Sequence, residues 1–255
     1  MTVLSVNLNK VALLRNSREG GTPSVTRAAQ TVLAAGAAGI TVHPRPDQRH
    51  IRPGDVAELA ALVAEHPGIE FNIEGNPFAG PRDNGYPGFD ALIESARPHQ
   101  ATLVPDSDSQ LTSDHGWDLG SDNAALAEAV ARYQAWGARV SLFMDPEPEQ
   151  ISRVPAVGAD RIELYTGPFA AVAAVRGLDH PETRDSLERY RAAARHAVSL
   201  GLGVNAGHDL DLHNLPLFRE ITEVAEVSIG HALIGDALYL GLTATVNAYL
   251  RALAD

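Results

Sequence analysis

The feature that most constrains the fold of this 255-residue chain is its regular alternation of strand-like and helix-like segments. Eight short runs are rich in apolar and β-branched residues, which is typical of buried strands. A helix or a candidate helix follows each run, and such strict alternation predicts a parallel sheet with right-handed crossovers. The predicted strands cover residues 3–9, 39–43, 69–73, 101–105, 139–145, 161–167, 203–209 and 226–231.

The number and spacing of these repeats favour a closed barrel. Eight repeats in about 250 residues fit an α/β fold of the (β/α)8 type, a TIM barrel. A doubly wound open sheet is the alternative, but no Gly-x-Gly-x-x-Gly motif follows the first strand. Because no linker interrupts the pattern, we predict a single (β/α)8 domain over residues 1–255. Its active site is expected at the C-terminal ends of the strands.

Composition restricts the class of partner. A formal net charge of −12 argues against general binding of nucleic acid, and the absence of cysteine excludes disulfides and thiolate chemistry. No apolar run approaches the length of a membrane span and no signal-peptide pattern opens the chain, so we expect a cytoplasmic protein with no membrane partner. The only lysine, Lys10, lies in the first fifth of the chain with several arginines. A local concentration of cations on an acidic protein suits a small anionic ligand.

Polar and titratable side chains collect at the ends of six of the predicted strands. Since the carboxyl ends of barrel strands surround one mouth, we expect these side chains to meet there. A glycine between the last strand and its helix would let backbone N–H groups approach a phosphate, aided by the helix N-terminus. In strand order, the residues are Asn7, Asn9 and Lys10; His43 and Arg45; Glu70 and Glu74; Glu163 and Thr166; Asn205 and His208; and Gly230 and His231.

Each of these residues also has a purely structural explanation. Glu70, inside an apolar strand, is alternatively a buried carboxylate paired with an arginine in the barrel core. His208 is alternatively a capping or core histidine whose ring is satisfied by hydrogen bonds. Glu163 is alternatively a counter-charge for Lys10 or Arg45. The chain alone leaves these alternatives open.

Seven motifs spread over nearly the whole chain form a recognisable set. They are VNLNKVALLRNSR (6–18), GITVHPRPDQRHI (39–51), IEFN around Glu70, RVSLFMD (139–145), IELYTG (162–167), GLGVNAGHDL (201–210) and SIGHALIG (228–235). In this order the set resembles the pyridoxine 5′-phosphate synthases of the deoxyxylulose-dependent route to vitamin B6. The pattern TVH-x-R-x-D-x-RHI is its most specific part.

The resemblance implies a (β/α)8 barrel that assembles into a homo-octamer. It implies two small phosphorylated substrates, 1-deoxy-D-xylulose 5-phosphate and 3-amino-2-oxopropyl phosphate, which condense to pyridoxine 5′-phosphate with release of phosphate and water. This chemistry requires several proton transfers near neutral pH, for which histidine and a carboxylate of raised pKa are suited. It requires no cofactor and no metal.

The resemblance also implies roles for individual residues. His43 and Glu70 would be proton acceptors and His208 a proton donor. The amino ketone phosphate would contact Asn7, Arg18, Gly230 and His231. The deoxyxylulose phosphate would contact Asn9, Lys10, Arg45, His50 and Thr112. Glu163 matches an active-site glutamate of the family, and Asp209 is included as a substrate-binding residue at a position where the family often has glycine.

The sequence departs from the family pattern at several other places. Asn9-Lys10 replaces a common Asp-His pair, and segment 75–88 is longer than in many members. The loop after Pro105 reads DSDSQ, where basic residues are frequent.

Three other functions are compatible with the sequence. A Schiff-base aldolase would use Lys10 as its nucleophile, and trapping with borohydride would reveal the adduct. A metal-dependent hydrolase would use His43, His208, His231 and Glu70, and would lose activity on chelation. A non-catalytic sugar-phosphate-binding barrel would release no phosphate from the mixed substrates.

Overall fold

The computed structural model describes residues 2–254 and contains a closed barrel of eight parallel strands in chain order. The first and last strands pair in register from Val3↔Glu226 to Val6↔Ile229, which closes the barrel. The predicted (β/α)8 fold is therefore confirmed, and the open-sheet alternative is wrong. The strands are β1 Val3–Asn7, β2 Gly39–Val42, β3 Glu70–Gly75, β4 Gln100–Leu103, β5 Arg139–Met144, β6 Arg161–Tyr165, β7 Gly203–Gly207 and β8 Val224–Ile229.

Helices surround the barrel on the outside. No helix of the described residues is long and apolar enough to cross a membrane. The helices are α1 Asn9–Asn16, α2 Val25–Ala34, α3 Pro53–Ala64, α4 Phe89–Ala96, α5 Ala124–Ala135, α6 Pro148–Ile151, α7 Val154–Val157, α8 Gly167–Arg176, α9 Pro181–Ser199, α10 Leu215–Phe218, α11 His231–Leu240 and α12 Leu242–Ala254.

The apolar core lies between the barrel and its helices. In β1, Leu4 and Val6 are fully buried in this layer, and the alternation of side chains turns Ser5 to the barrel interior. The interior is polar, and several of its side chains lie within hydrogen-bond distance of one another: the hydroxyls of Ser5 and Thr41 lie 2.7 Å apart, and Thr102 donates to Asn72 across 3.1 Å. A polar interior permits titratable groups along the barrel axis, provided that each finds a partner.

The boundaries of several elements differ from the sequence prediction, and β3 extends two residues beyond its predicted end, to Gly75. Strands β1, β6 and β7 end two residues early, so Asn9, Gly167 and Asp209 lie in the segments that leave the barrel. Helix α8 was not predicted, because its Gly-Pro start resembles a loop. The predicted closing helix is two helices, interrupted at Gly241, which has φ of 80°. Some of the polar residues expected at strand ends therefore begin loops or helices, whereas Asn7 and Glu74 lie within strands.

Candidate active site

A cavity of about 330 Å³ opens at the carboxyl ends of the strands. It brings together every residue that was assigned a role except Glu70 and Arg18, while Thr166 and Asn205, which were also expected at this end, do not line it. The predicted residues that line it are Asn7, Asn9, Lys10, His43, Arg45, His50, Thr112, Glu163, His208, Asp209, Gly230 and His231. One shared mouth therefore collects groups from widely separated parts of the chain.

The exits of β1 and β2 are joined by asparagine side chains. The backbone N–H of His43 donates to Asn9 Oδ1 across 2.8 Å, and the N–H of Asn9 donates to Asn7 Oδ1 across 3.0 Å. Asn7 in turn donates through Nδ2 to Glu74 Oε2 across 3.3 Å. These bonds fix the start of α1, and with it Lys10, beside the cavity.

His43 occupies the centre of the site between two carboxylates. Its Nδ1 lies 3.8 Å from Glu74 Oε2 and its Nε2 lies 3.5 Å from Asp106 Oδ2. Burial lowers the pKa of His43 well below its usual value, and the nearby charge of Arg45 lowers it further. Its neighbour His50 is also neutral, because burial and Arg45 lower its pKa to about 3. A neutral imidazole held between acidic groups is able to accept a proton.

Glu74 is the carboxylate that faces His43, and the sequence analysis did not assign it a role. It is buried near the end of β3, and burial raises the pKa of Glu74 well above its usual value. The carboxylates of Glu163 and Asp106 raise that pKa further. Its position after a run of buried strand residues was the available signal. A carboxyl group with a raised pKa exchanges protons near neutral pH.

The position expected for Glu70 is wrong. Glu70 is the first residue of β3, so it lies at the amino end of the barrel, roughly 13 Å along the strand from Glu74. Arg139, the first residue of β5, donates through Nη2 to Glu70 Oε2 across 2.6 Å. The alternative of a carboxylate paired with an arginine is therefore the one that the structure contains.

We expect Glu70→Gln to lower stability and to leave turnover within about threefold of the original value. The substitution removes a charged partner of Arg139 that is partly exposed, which costs about 1 to 2 kcal/mol of unfolding free energy. Chemical denaturation and steady-state kinetics measure the two effects. A loss of turnover of a hundredfold with an intact fold would contradict this placement.

The loop that follows β4 lines one side of the cavity with Thr112 and Ser113 and also carries Asp106, which the sequence analysis missed. Asp106 Oδ2 accepts hydrogen bonds from Arg45 Nη2 and, across 3.0 Å, from Ser113 Oγ. Arg45 and Arg49 both donate to the carbonyl oxygen of Gln110, at 2.9 and 3.0 Å. Two arginines from the exit of β2 thus hold this loop against the site.

His208 lies just beyond β7 in a strained backbone conformation. Its φ is 92°, a region that residues other than glycine rarely adopt. Thr166 Oγ1 donates to the carbonyl oxygens of Gly207 and His208, which holds this turn in place. The ring nitrogen Nε2 lies 3.3 Å from Thr112 Oγ1. Strain of this kind persists where the surrounding structure imposes it, and it is common at functional sites.

The charge of Asp209 acts on His208 across 3.9 Å. Burial lowers the pKa of His208, and the carboxylate of Asp209 partly opposes that shift. We therefore expect Asp209→Asn to lower the pKa of His208 further, since the opposing charge is removed. Titration of the imidazole C–H signals by NMR measures the shift, with Asp179→Asn, a fully exposed aspartate, as control. An unchanged or higher pKa would show that Asp209 does not stabilise the imidazolium.

Glu163 lies deep in the cavity on β6. Its Oε2 has no hydrogen-bond partner among residues 2–254, and burial raises its pKa to about 7. A Cβ on Gly207 would lie 2.8 Å from Glu163 Oε1, so only glycine leaves room for this carboxyl group. An unpaired buried oxygen that faces the cavity is available to a ligand.

The end of β8 offers a different kind of contact. Gly230 precedes α11, whose first residue is His231, and a Cβ on Gly230 would come within 3.0 Å of Asn7 Cβ. Glycine here lets the two chain segments pack closely. The N-terminus of α11 therefore presents backbone N–H groups at the cavity, an arrangement suited to an anion.

Two expectations do not match this site. Arg18 lies two residues beyond the end of α1 at Asn16. Its side chain is exposed and does not line the cavity of this chain. Among the residues that the structure describes, no group of three or more His, Cys, Asp or Glu is placed to hold a metal ion. Glu70, one ligand of the metal-hydrolase alternative, also lies at the opposite end of the barrel.

Comparisons with known proteins identify the family of the chain. The family model described as "Pyridoxal phosphate biosynthesis protein PdxJ" matches residues 4–255. The chain belongs to this family. It is 56% identical over 254 residues to the pyridoxine 5′-phosphate synthase of Xanthomonas campestris pv. campestris, covering 99% of this chain and 96% of that protein. It is 58% identical over 250 residues to the Xanthomonas oryzae pv. oryzae enzyme of the same name, covering 98% and 95%.

Solved structures of distant sequence share the barrel. The 3-hexulose-6-phosphate synthase of Salmonella typhimurium superposes with a TM-score of 0.62 at 13% identity, covering 99% of each chain. At this identity the similarity extends to the fold alone. Membership of the PdxJ family therefore comes from the sequence comparisons, and the structure adds the positions of the side chains.

Proposed function

We propose that this PdxJ-family protein is a pyridoxine 5′-phosphate synthase. It condenses 1-deoxy-D-xylulose 5-phosphate with 3-amino-2-oxopropyl phosphate to give pyridoxine 5′-phosphate, phosphate and water. The observation that carries the proposal is the meeting of His43, Glu74 and His208 at one cavity in a chain of this family. Ring closure with loss of water requires groups that both accept and release protons near neutral pH.

The surroundings of each group suit a particular role. His43 is neutral and lies against two carboxylates, so it accepts a proton from a bound substrate. Glu74, rather than Glu70, is the carboxyl group that exchanges a proton during the reaction, because it alone of the two lines the cavity. His208 donates a proton, with the charge of Asp209 favouring its protonated form. Glu163 supplies a further carboxyl group that faces the reacting atoms.

The two phosphorylated substrates are assigned to different sides of the cavity. The amino ketone phosphate lies against Asn7 and the Gly230–His231 turn, where the N-terminus of α11 favours an anion. The deoxyxylulose phosphate lies against Asn9, Lys10, Arg45, His50 and Thr112, which provide two cations. Arg18 is left out of the first group because it does not line the cavity of this chain.

Mixing the two substrates with the protein tests this function directly. We expect absorbance of a pyridine ring and release of inorganic phosphate only when both substrates are present. Each substrate alone is the control. Absence of the ring from mixed substrates, with the protein folded, would overturn the proposal and favour the non-catalytic barrel.

The Schiff-base aldolase remains a second candidate because Lys10 lines the same cavity. Its amine would then form a covalent imine with a carbonyl substrate. In the condensation, by contrast, the amine of one substrate attacks the carbonyl of the other, and Lys10 serves only as a cation. Borohydride treatment followed by peptide mass analysis separates the two: an adduct on Lys10 favours the aldolase.

The assembly and location of the protein are part of the same proposal. A homo-octamer in the cytoplasm, without nucleic-acid partners, is supported by the resemblance to the family and by the acidic composition. Three neighbouring apolar residues at the end of α11, Leu238, Tyr239 and Leu240, are exposed in the single chain. Contiguous apolar surface of this kind marks protein interfaces. Light scattering is expected to give the mass of eight chains.

A further inference from the structure

His208 has an aromatic neighbour to which the proposed reaction assigns no part. This neighbour is Tyr165, the last residue of β6, whereas His208 directly follows β7, the next strand of the barrel. The centroids of the two rings lie 5.1 Å apart and the ring planes are inclined at 70°, which is an edge-to-face contact. Contacts of this kind are favourable and directional, so the phenol ring restricts the orientation of the imidazole.

Tyr165 is itself held in place by its surroundings. Its carbonyl oxygen accepts a hydrogen bond from the hydroxyl of the buried Tyr190, on α9, across 2.7 Å. Its ring also packs against Phe143 of β5, with 5.6 Å between the centroids. The N–H of the next residue, Thr166, donates to the carbonyl oxygen of Gly207 across 3.1 Å. The phenol ring is therefore a fixed support beside the imidazole.

Gly167, the first residue of α8, leaves room for the phenol ring. A Cβ at this position would lie 2.6 Å from Cζ of Tyr165 and 2.7 Å from its Cε2, which is far inside van der Waals contact. The φ of Gly167 is outside the left-handed region, so the backbone conformation does not itself require glycine. The ring of Tyr165, and not the start of the helix, accounts for glycine here.

His208 needs such a support because little else orients its ring. His208 and Asp209 have φ of 92° and 58°, so the turn that carries the imidazole is strained. The ring nitrogen Nε2 lies 3.3 Å from Oγ1 of Thr112, an exposed residue of the loop after β4. A single contact with an exposed loop residue leaves the direction of the imidazole poorly determined.

We infer that Tyr165 is a positioning residue that directs the imidazole of His208 into the cavity. The contacts with His208 and Phe143 are made by the ring of Tyr165 and not by its hydroxyl. Tyr165 does not line the cavity, so it acts on the substrates only through His208. The inference rests on the proposed function for the proton that His208 donates, whereas the contact between the two rings does not depend on it.

Steady-state kinetics of Tyr165→Ala and Tyr165→Phe test this role. We expect Tyr165→Ala to lower kcat about tenfold or more, because small misplacements of a catalytic group are costly. The KM of each substrate should stay within about threefold, since no contact with either substrate is lost. Tyr165→Phe keeps the ring and should restore kcat. Equal losses of kcat in the two variants, or a rise in KM at unchanged kcat, would overturn the inference.

Gly167→Ala moves the ring without removing it, and it keeps the test decisive if Tyr165→Ala does not fold. Alanine suits the start of a helix, so we expect the variant to fold and to lose kcat about fivefold or more. Gly54→Ala, in the first turn of α3, is the matched control, because a Cβ there would meet nothing within 4 Å. Full turnover of Gly167→Ala would contradict the inference.

The double variant Tyr165→Ala/Gly167→Ala shows whether the two positions act together. Once the phenol ring is gone, the added methyl group has no ring to displace. We therefore expect the double variant to have the same kcat as Tyr165→Ala alone. Losses that multiply would show that Gly167 acts independently of the ring, and would overturn this part of the inference.

NMR titration of the His208 C–H signals gives a readout that needs no substrate. Burial lowers the pKa of His208, so loss of the phenol ring should let water reach the imidazole and raise that pKa in Tyr165→Ala but not in Tyr165→Phe. An unchanged pKa in Tyr165→Ala would contradict the inference. Failure of the mixed substrates to form a pyridine ring would instead contradict the proposed function. The charged groups that face the imidazole are the same in all variants: Asp209, Asp106, Asp114 and Lys10.

Discussion

Glu74→Gln is expected to lower kcat by a hundredfold or more while the protein stays folded. Glutamine keeps the size of the side chain and an oxygen that accepts from Asn7, but it cannot take up or release a proton. General acid–base groups typically contribute 10² to 10⁴ in rate, so a large loss follows if Glu74 transfers a proton in the reaction. Steady-state kinetics with both substrates measure the change.

Glu70→Gln is the matched control, since it is the same substitution four residues earlier in the same strand. We expect the two variants to differ clearly in kcat, with a large loss only in Glu74→Gln. If both variants kept near-normal turnover, Glu74 would have no proton-transfer role. If only Glu70→Gln were inactive, the assignment of the two carboxylates would have to be reversed.

Glu74→Gln should also make the protein more stable above neutral pH. An unfolded glutamate ionises with a pKa of about 4.3, whereas burial holds the folded-state pKa of Glu74 well above its usual value. Between these two pKa values, ionisation of the glutamate stabilises the unfolded state but not the folded state, so the free energy of unfolding falls as the pH rises. Glutamine removes this loss. The difference in unfolding temperature should therefore grow from pH 4 to pH 8 and vanish at lower pH.

The fold could be predicted from the sequence because its evidence is local and repeated. Each buried strand and the helix after it leave a pattern within a few residues, and eight such patterns in a row restrict the topology. The same repetition predicted that polar residues at strand ends would meet. Residues as distant as Asn7 and His231 line one cavity for this reason.

The choice between Glu70 and Glu74 shows where that reasoning stops. The two residues are separated by an even number of positions, so alternation points both into the barrel. Alternation says nothing about depth along the axis, which depends on where the strand pairs with its neighbours. In the structure Glu70 pairs with Gly39, the first residue of β2, and this register places it at the amino end.

The sequence alone also did not predict which loop residues contact the site. Asp106 lies in a polar segment with no periodic pattern, and its importance comes from a contact with Arg45 sixty-one positions away. Segment 75–88 likewise folds back over the exit of β2, where Asn84 donates through Nδ2 to the carbonyl oxygen of Pro46 across 2.8 Å. Such contacts are set by tertiary packing, for which single residues of a loop carry little signal.

His43→Ala is the second substitution for which we expect a loss of a hundredfold or more in kcat. The imidazole lies between Glu74 and Asp106, and its lowered pKa keeps it neutral at the pH of the reaction. Removal of the ring takes away the imidazole between these carboxyl groups, and His50 does not replace it, because its ring lies 6.3 Å away and its Nδ1 already accepts from Ile51 N–H. His66→Ala, on the segment after α3, is the matched control and should keep full turnover. Near-normal turnover of His43→Ala would show that the proton is accepted elsewhere.

The pH dependence of the unaltered enzyme tests the same role of His43. The midpoint of the acid limb of the pH–rate profile should lie below pH 6.5, the usual pKa of histidine, because His43 stops accepting a proton only once it is itself protonated.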